Sequence, residues 1–103
     1  MKTRKLGDTD LELTVIGFGT WAIGGGNWGM GWGDQDEQDS IDAIHEGLDQ
    51  GINWIDTAHA YGFGESESVV GKAVKQYGGE VIVATKCGVL PNDVRTPYRF
   101  ISR

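Results

Sequence analysis

Basic residues are missing from most of the chain. No Lys or Arg occurs between Leu6 and Gly71, and the formal net charge is −6 over 103 residues. Such a chain has no broad basic surface for nucleic acid or for an anionic membrane. Any basic side chain that grips a phosphate must lie outside that stretch. Cysteine is nearly absent as well: Cys87 is the single one, which excludes an internal disulfide and fits a reducing compartment. No apolar run approaches the ~20 residues of a membrane-spanning helix. The basic start, Met1-Lys-Thr-Arg-Lys5, lacks the apolar core of a signal peptide that would have to follow it. The expected compartment is the cytoplasm, with neither nucleic acid nor membrane as a partner.

What is present alternates strands with amphipathic helices. Residues 5–13 read as a small hairpin turning on Gly7-Asp8-Thr9-Asp10, and residues 15–19 as a first buried strand. A Gly-rich loop over 20–33 carries Trp21, Trp28 and Trp32. Glycine at that density resists helix and lets backbone approach a ligand. A helix begins near Asp34 or Asp36, with Asp34 and Glu37 spaced as a capping pair, and runs through the stripe Ile41, Ile44, Leu48 to a stop at Gly51. Residues 52–55 form a short apolar strand. The second helix covers 66–77, with Ser66 as its cap and Val69, Val70, Ala73, Val74 and Tyr77 on its buried face. A third strand follows over 81–85, and the rest, with Pro91 and Pro97, reads as irregular.

This order predicts an α/β fold with parallel pairing and right-handed crossovers. The domain plan is an opening hairpin over 1–13, then three strands, two helices and a terminal loop over 14–103. No helix covers the third strand, so both outer edges of the sheet would be bare. Stable domains avoid that state, and the expectation is a part of a larger fold that self-associates through its strand edges.

The strand ends place the chemistry. Asp56 and Tyr61 follow the carboxyl end of the second strand, and Lys86 follows that of the third, where α/β folds build their sites. A phenol with its ordinary pKa near ~10 is a poor acid at neutral pH. A nearby ammonium favours the phenolate, and a carboxylate paired with that ammonium fixes its position. Together they make a phenol able to give a proton to a carbonyl oxygen, or to take one from an alcohol. Singly, each residue has an ordinary structural role: a turn cap, a pocket rim, a solvated strand end. Their joint placement after successive strands favours a site.

Gly17-Phe-Gly-Thr-Trp21, Gly51-Ile-Asn-Trp-Ile-Asp-Thr-Ala-His-Ala-Tyr-Gly-Phe-Gly-Glu-Ser-Glu67, Val70-Gly71 and Ala84-Thr-Lys86 together resemble the N-terminal part of the aldo-keto reductase family. The hairpin resembles the plug at the bottom of that family's (β/α)₈ barrel. The resemblance implies reduction of aldehydes and ketones, small carbonyl compounds or sugars, with NADPH, less often NADH, and no metal. It makes Tyr61 the proton donor, with Lys86 and Asp56 tuning its acidity. It places Gly19, Thr20, Trp21 and Asp56 beside the nicotinamide, and Trp21, Trp28, Trp32 and His59 around the substrate. The family's catalytic histidine and its phosphate-gripping segments have no counterpart here. A barrel of this kind takes about 250 residues, so the chain reads as a truncated member. The alternative expectation is a non-catalytic fragment or subunit.

Other signals carry less. Gly17-Phe-Gly-Thr-Trp-Ala22 fits a dinucleotide fingerprint, but that motif needs a helix to start at once, and glycines follow instead. His45 falls within the first helix as a surface residue. Cys87 reads as a passive small residue, and the acidic stretch over 34–49 as a solvated helix face.

Overall fold

A computed structural model describes residues 1–26, 31–90 and 99–100. Strands β1 (Thr3–Lys5) and β2 (Glu12–Thr14) pair antiparallel, with Thr3 opposite Thr14. This is the expected hairpin. Asn53 pins it to the start of the central strand: its side chain accepts from the Thr14 amide at 3.0 Å and donates to the Glu12 carbonyl at 2.8 Å. The Trp54 indole adds a bond to the Thr14 carbonyl at 2.9 Å. The hairpin therefore sits at the amino end of that strand, opposite the end that carries Asp56.

Strands β3 (Phe18–Gly19), β4 (Trp54–Asp56) and β5 (Ile82–Ala84) form one parallel sheet in that order. Helix α1 (Glu37–Asp49) connects the first pair and α2 (Glu65–Tyr77) the second. Ile41, Ile44 and Leu48 of α1 pack with Val69, Val70 and Ala73 of α2 and with Ile55 of β4. Ile44 and Ile55 are fully buried, each worth about 1.5–3 kcal/mol in apolar burial. The helical stripes thus land as their spacing predicts. Neither helix is long and apolar enough to cross a membrane among the described residues.

Several local expectations do not hold. The first strand has two residues rather than five, and Val15 and Ile16 are 50% and 58% exposed instead of buried. The Thr14 hydroxyl donates to the Ile16 carbonyl at 2.6 Å, turning that backbone out of the sheet ladder. Within the Gly-rich loop, Trp21–Gly24 winds into a 3₁₀ turn. The cap of α1 is Asp36, accepting from the Asp39 amide at 2.9 Å, so the Asp34 and Glu37 pair is not the cap. His45 is half-buried rather than fully on the surface: its Nε2 lies 2.8 Å from the Ala73 carbonyl of the other helix. Past β5 the chain forms a further antiparallel pair, β6 (Val89–Leu90) with β7 (Arg99–Phe100), where irregular structure was expected.

Candidate active site

Register brings the site together. Gly19 pairs with Asp56, and Asp56 with Ala84, so these positions share one face of the sheet. Lys86 lies two residues beyond Ala84, which returns its side chain to that face. The Lys86 ammonium donates to Asp56 Oδ1 at 2.7 Å and to the Thr57 carbonyl at 3.0 Å. It also sits 5.1 Å from the centre of the Tyr61 ring. The three residues expected at a common rim are in contact.

Tyr61 arrives by a chain of turns. Its amide donates to the Ala58 carbonyl at 3.1 Å, and its carbonyl accepts from the Ser66 amide at 3.1 Å, tying the loop to the first turn of α2. Gly62, Phe63 and Gly64 then follow with positive φ, at 75°, 51° and 103°. Gly62 also abuts the 3₁₀ turn, where a Cβ would run into the Gly24 carbonyl oxygen. A left-handed φ at Phe63, a residue with a bulky side chain, is backbone strain beside the site.

The charges are balanced at the rim. Partial burial opposes the Lys86 charge, but hydrogen bonds with Asp56 and Tyr61 and the charge of Asp56 outweigh it, holding the ammonium above its ordinary 10.5. A cavity of about 410 Å³ opens beside Tyr61 and Lys86, walled by Ala58, Ala60, Cys87, Gly88 and Val89. That size lies in the range of small-molecule sites.

The remaining expected residues divide. Trp21 stands with its ring 5.5 Å from that of Tyr61 and is 41% exposed, a surface open to a ligand. A Cβ on Gly19 would meet nothing within 4 Å, so space is open there too. Thr20 is fully buried and its hydroxyl donates to the Asp56 carbonyl at 3.0 Å. It supports the rim from beneath and presents no side chain to a ligand. Trp32 is 77% exposed and lines no part of the cavity beside Tyr61. Trp28 lies outside the described residues. His59 faces Glu67 at 3.6 Å and does not line that cavity, although its amide donates to the Lys86 carbonyl at 3.1 Å.

Two residues in the site's support escaped the sequence reading. Ser66, expected to cap α2, is not the cap: that position is Gly64, with no side-chain cap bond, and the Ser66 hydroxyl turns inward to Thr20 and Thr57. Glu67 accepts from the Thr85 hydroxyl at 3.0 Å, bracing the segment that leads into Lys86. Their partners lie on other elements, so no local pattern marks them.

Known proteins resemble this chain in sequence and fold. The chain is 54% identical over 88 residues to the aldo-keto reductase YhdN of Bacillus subtilis, covering 84% of this chain and 25% of that protein. It is 52% identical over 91 residues to the NADH-specific methylglyoxal reductase of Escherichia coli, covering 87% and 27%. The chain thus spans about a quarter of the length of these relatives. Among solved structures, an aldo-keto reductase of Bacillus halodurans in its holo form superposes with a TM-score of 0.78 at 34% identity, over 98% of this chain and 30% of that one. A glycerol dehydrogenase of Gluconobacter oxydans gives 0.74 at 38% identity, over 94% and 29%. These neighbours are (β/α)₈ barrels, and the hairpin, parallel sheet and two helices correspond to the N-terminal part of that fold. With the aldo/keto reductase family model matching residues 15–101, the chain belongs to the aldo/keto reductase family.

Proposed function

We propose that this chain carries the proton-donating wall of an NAD(P)H-dependent carbonyl reductase site, with Tyr61 as the donor. The observation that supports this reading is the Lys86 ammonium, held at once 2.7 Å from Asp56 and 5.1 Å from the Tyr61 ring centre. As negative charge builds on a carbonyl oxygen, the Tyr61 hydroxyl gives it a proton, and the ammonium stabilises the phenolate left behind. Asp56 keeps the ammonium in place. In the reverse direction the phenolate takes the proton of an alcohol.

A reduced nicotinamide, when bound, supplies the hydride that goes to the carbonyl carbon. The residues present fit that end of a cofactor: open space over Gly19, the exposed face of Trp21, and the Asp56 carboxylate as an acceptor for an amide N–H. The reading admits both NADPH and NADH. The resemblance favours the first, and the name of the Escherichia coli relative specifies the second. The substrate class is a small carbonyl compound or sugar, consistent with the cavity of about 410 Å³ beside Tyr61.

A second reading, in which the chain by itself turns over nothing, is favoured by the charge at the rim. Among the described side chains there, Lys86 is the single cation, and it is already engaged by Asp56 and Thr57. Among the described residues no further basic side chain stands at that rim for the cofactor phosphates. The test is a chimera in which this chain replaces the matching segment of the Bacillus subtilis relative. It should oxidise NADPH with an aldehyde, and Tyr61→Phe should abolish turnover while cofactor still binds. Retained turnover in Tyr61→Phe would refute the role given to the phenol. The unfused chain should show no aldehyde-dependent NADPH oxidation, and steady oxidation would overturn the second reading.

A further inference from the structure

Three hydroxyls, those of Thr20, Thr57 and Ser66, meet in the interior beneath the rim, exposed by 0%, 1% and 0%. Buried hydroxyls need partners, and each has a single hydrogen to give. The Asp56 carbonyl only accepts, so the Thr20 hydroxyl, 3.0 Å away, donates to it. With that hydrogen used, Thr20 Oγ1 must accept from Ser66 at 2.8 Å, a donation shared with the Thr20 carbonyl at 3.2 Å. Ser66 then has none left, and its oxygen must accept from Thr57 at 2.9 Å. The order of donation is therefore fixed: Thr57 to Ser66, Ser66 to Thr20, Thr20 to Asp56.

The two ends of this relay are the two residues on which Lys86 rests. The ammonium bonds the Asp56 carboxylate and the Thr57 carbonyl. The backbone of Thr57 is also held on its amide side, that N–H donating to the Ala84 carbonyl at 2.8 Å. We propose that Ser66 is a positioning residue for Lys86. Its inward hydroxyl joins the end of β3, the end of β4 and the start of α2, and so fixes the two acceptors that aim the ammonium at Tyr61. The catalytic meaning of this rests on the proposed role of Lys86, but the positioning itself does not.

The test reads the ammonium directly. In the 103-residue chain labelled with ¹⁵N at lysine Nζ, the Lys86 ammonium should exchange its hydrogens several-fold more slowly than free lysine, because of its hydrogen bonds to Asp56 and Thr57. Ser66→Ala should speed that exchange several-fold, and the isosteric Thr57→Val, which cuts the relay at its first link, should do the same. Leu48→Ala, a core truncation in α1 with no bond to the relay, should leave it unchanged at comparable loss of melting temperature. Equal exchange in Ser66→Ala and Leu48→Ala would show a merely structural serine and overturn the proposal. So would unchanged exchange in Thr57→Val, which keeps the test open if Ser66→Ala does not fold. Because the readout needs neither cofactor nor substrate, a failed Tyr61 mechanism and a failed Ser66 role give different results.

Discussion

Lys86 donates to Asp56 Oδ1 across 2.7 Å, from strands whose register sets Asp56 opposite Ala84. The pair is half open to solvent, with side chains 52% and 43% exposed. Exposed ion pairs are worth about 0–1 kcal/mol. The contact's value to folding is therefore small.

It follows that Asp56→Asn should lower unfolding stability by no more than about 1 kcal/mol. Urea denaturation of the chain measures this. A loss several times larger would mean that the pair is structural first.

Alkaline pH should weaken the fold. Three groups hold their protons more tightly when folded: Lys86, as described; Lys72, through its hydrogen bond and ion pair with Glu37; and Tyr77, through burial and then the hydrogen bond to Asp49. The ordinary values are 10.5 for the lysines and 10.0 for the tyrosine. As pH climbs past those values the unfolded chain releases these protons first, so stability falls with pH there. The contribution is fully present below pH 10 and is lost as the folded groups titrate. Denaturation midpoints at pH 9 and pH 11 check the direction. A rise at pH 11 would contradict it.

Two glycines should respond in opposite ways. Gly62 has φ 75° and no room for a Cβ against Gly24. Gly62→Ala should cost at least about 1 kcal/mol, lowering the melting temperature by about 4–8 °C or more. Gly71 is exposed within α2, and a Cβ there meets nothing within 4 Å. Gly71→Ala should stabilise by about 0.5–1 kcal/mol. Thermal melts of both variants decide.

The sheet's outer strands predict association. Among the described residues β3 and β5 each pair on one side only, with β4. Open strand edges recruit further strands, so we propose that the chain self-associates through them. Sedimentation velocity should show mass rising with concentration. A monodisperse monomer with a sharp melt would contradict the proposal.

Much of this was legible in the residues. The stripes Ile41, Ile44, Leu48 and Val69, Val70, Ala73 announce their buried faces by spacing alone, and the strand ends announce Asp56 and Lys86. What stayed hidden depends on distant partners. An apolar pair such as Val15 and Ile16 looks like strand core, but burial needs a covering layer that local sequence does not display. Ser66 has a capping residue's chemistry at a helix start, yet an inward bond to Thr20, 46 positions away, wins. His45 likewise takes its partner, Ala73, from the other helix.

The central claim is that the Asp56 carboxylate and the Lys86 ammonium act as one unit beside the Tyr61 phenol, and a double-mutant cycle in the chimera tests it most directly. Turnover is measured for Asp56→Asn, Lys86→Met and both together. Residues that act jointly give strongly non-additive losses, so the double variant should be little slower than Lys86→Met alone. Losses that simply multiply would show that the carboxylate and the ammonium work independently, and would contradict their joint action.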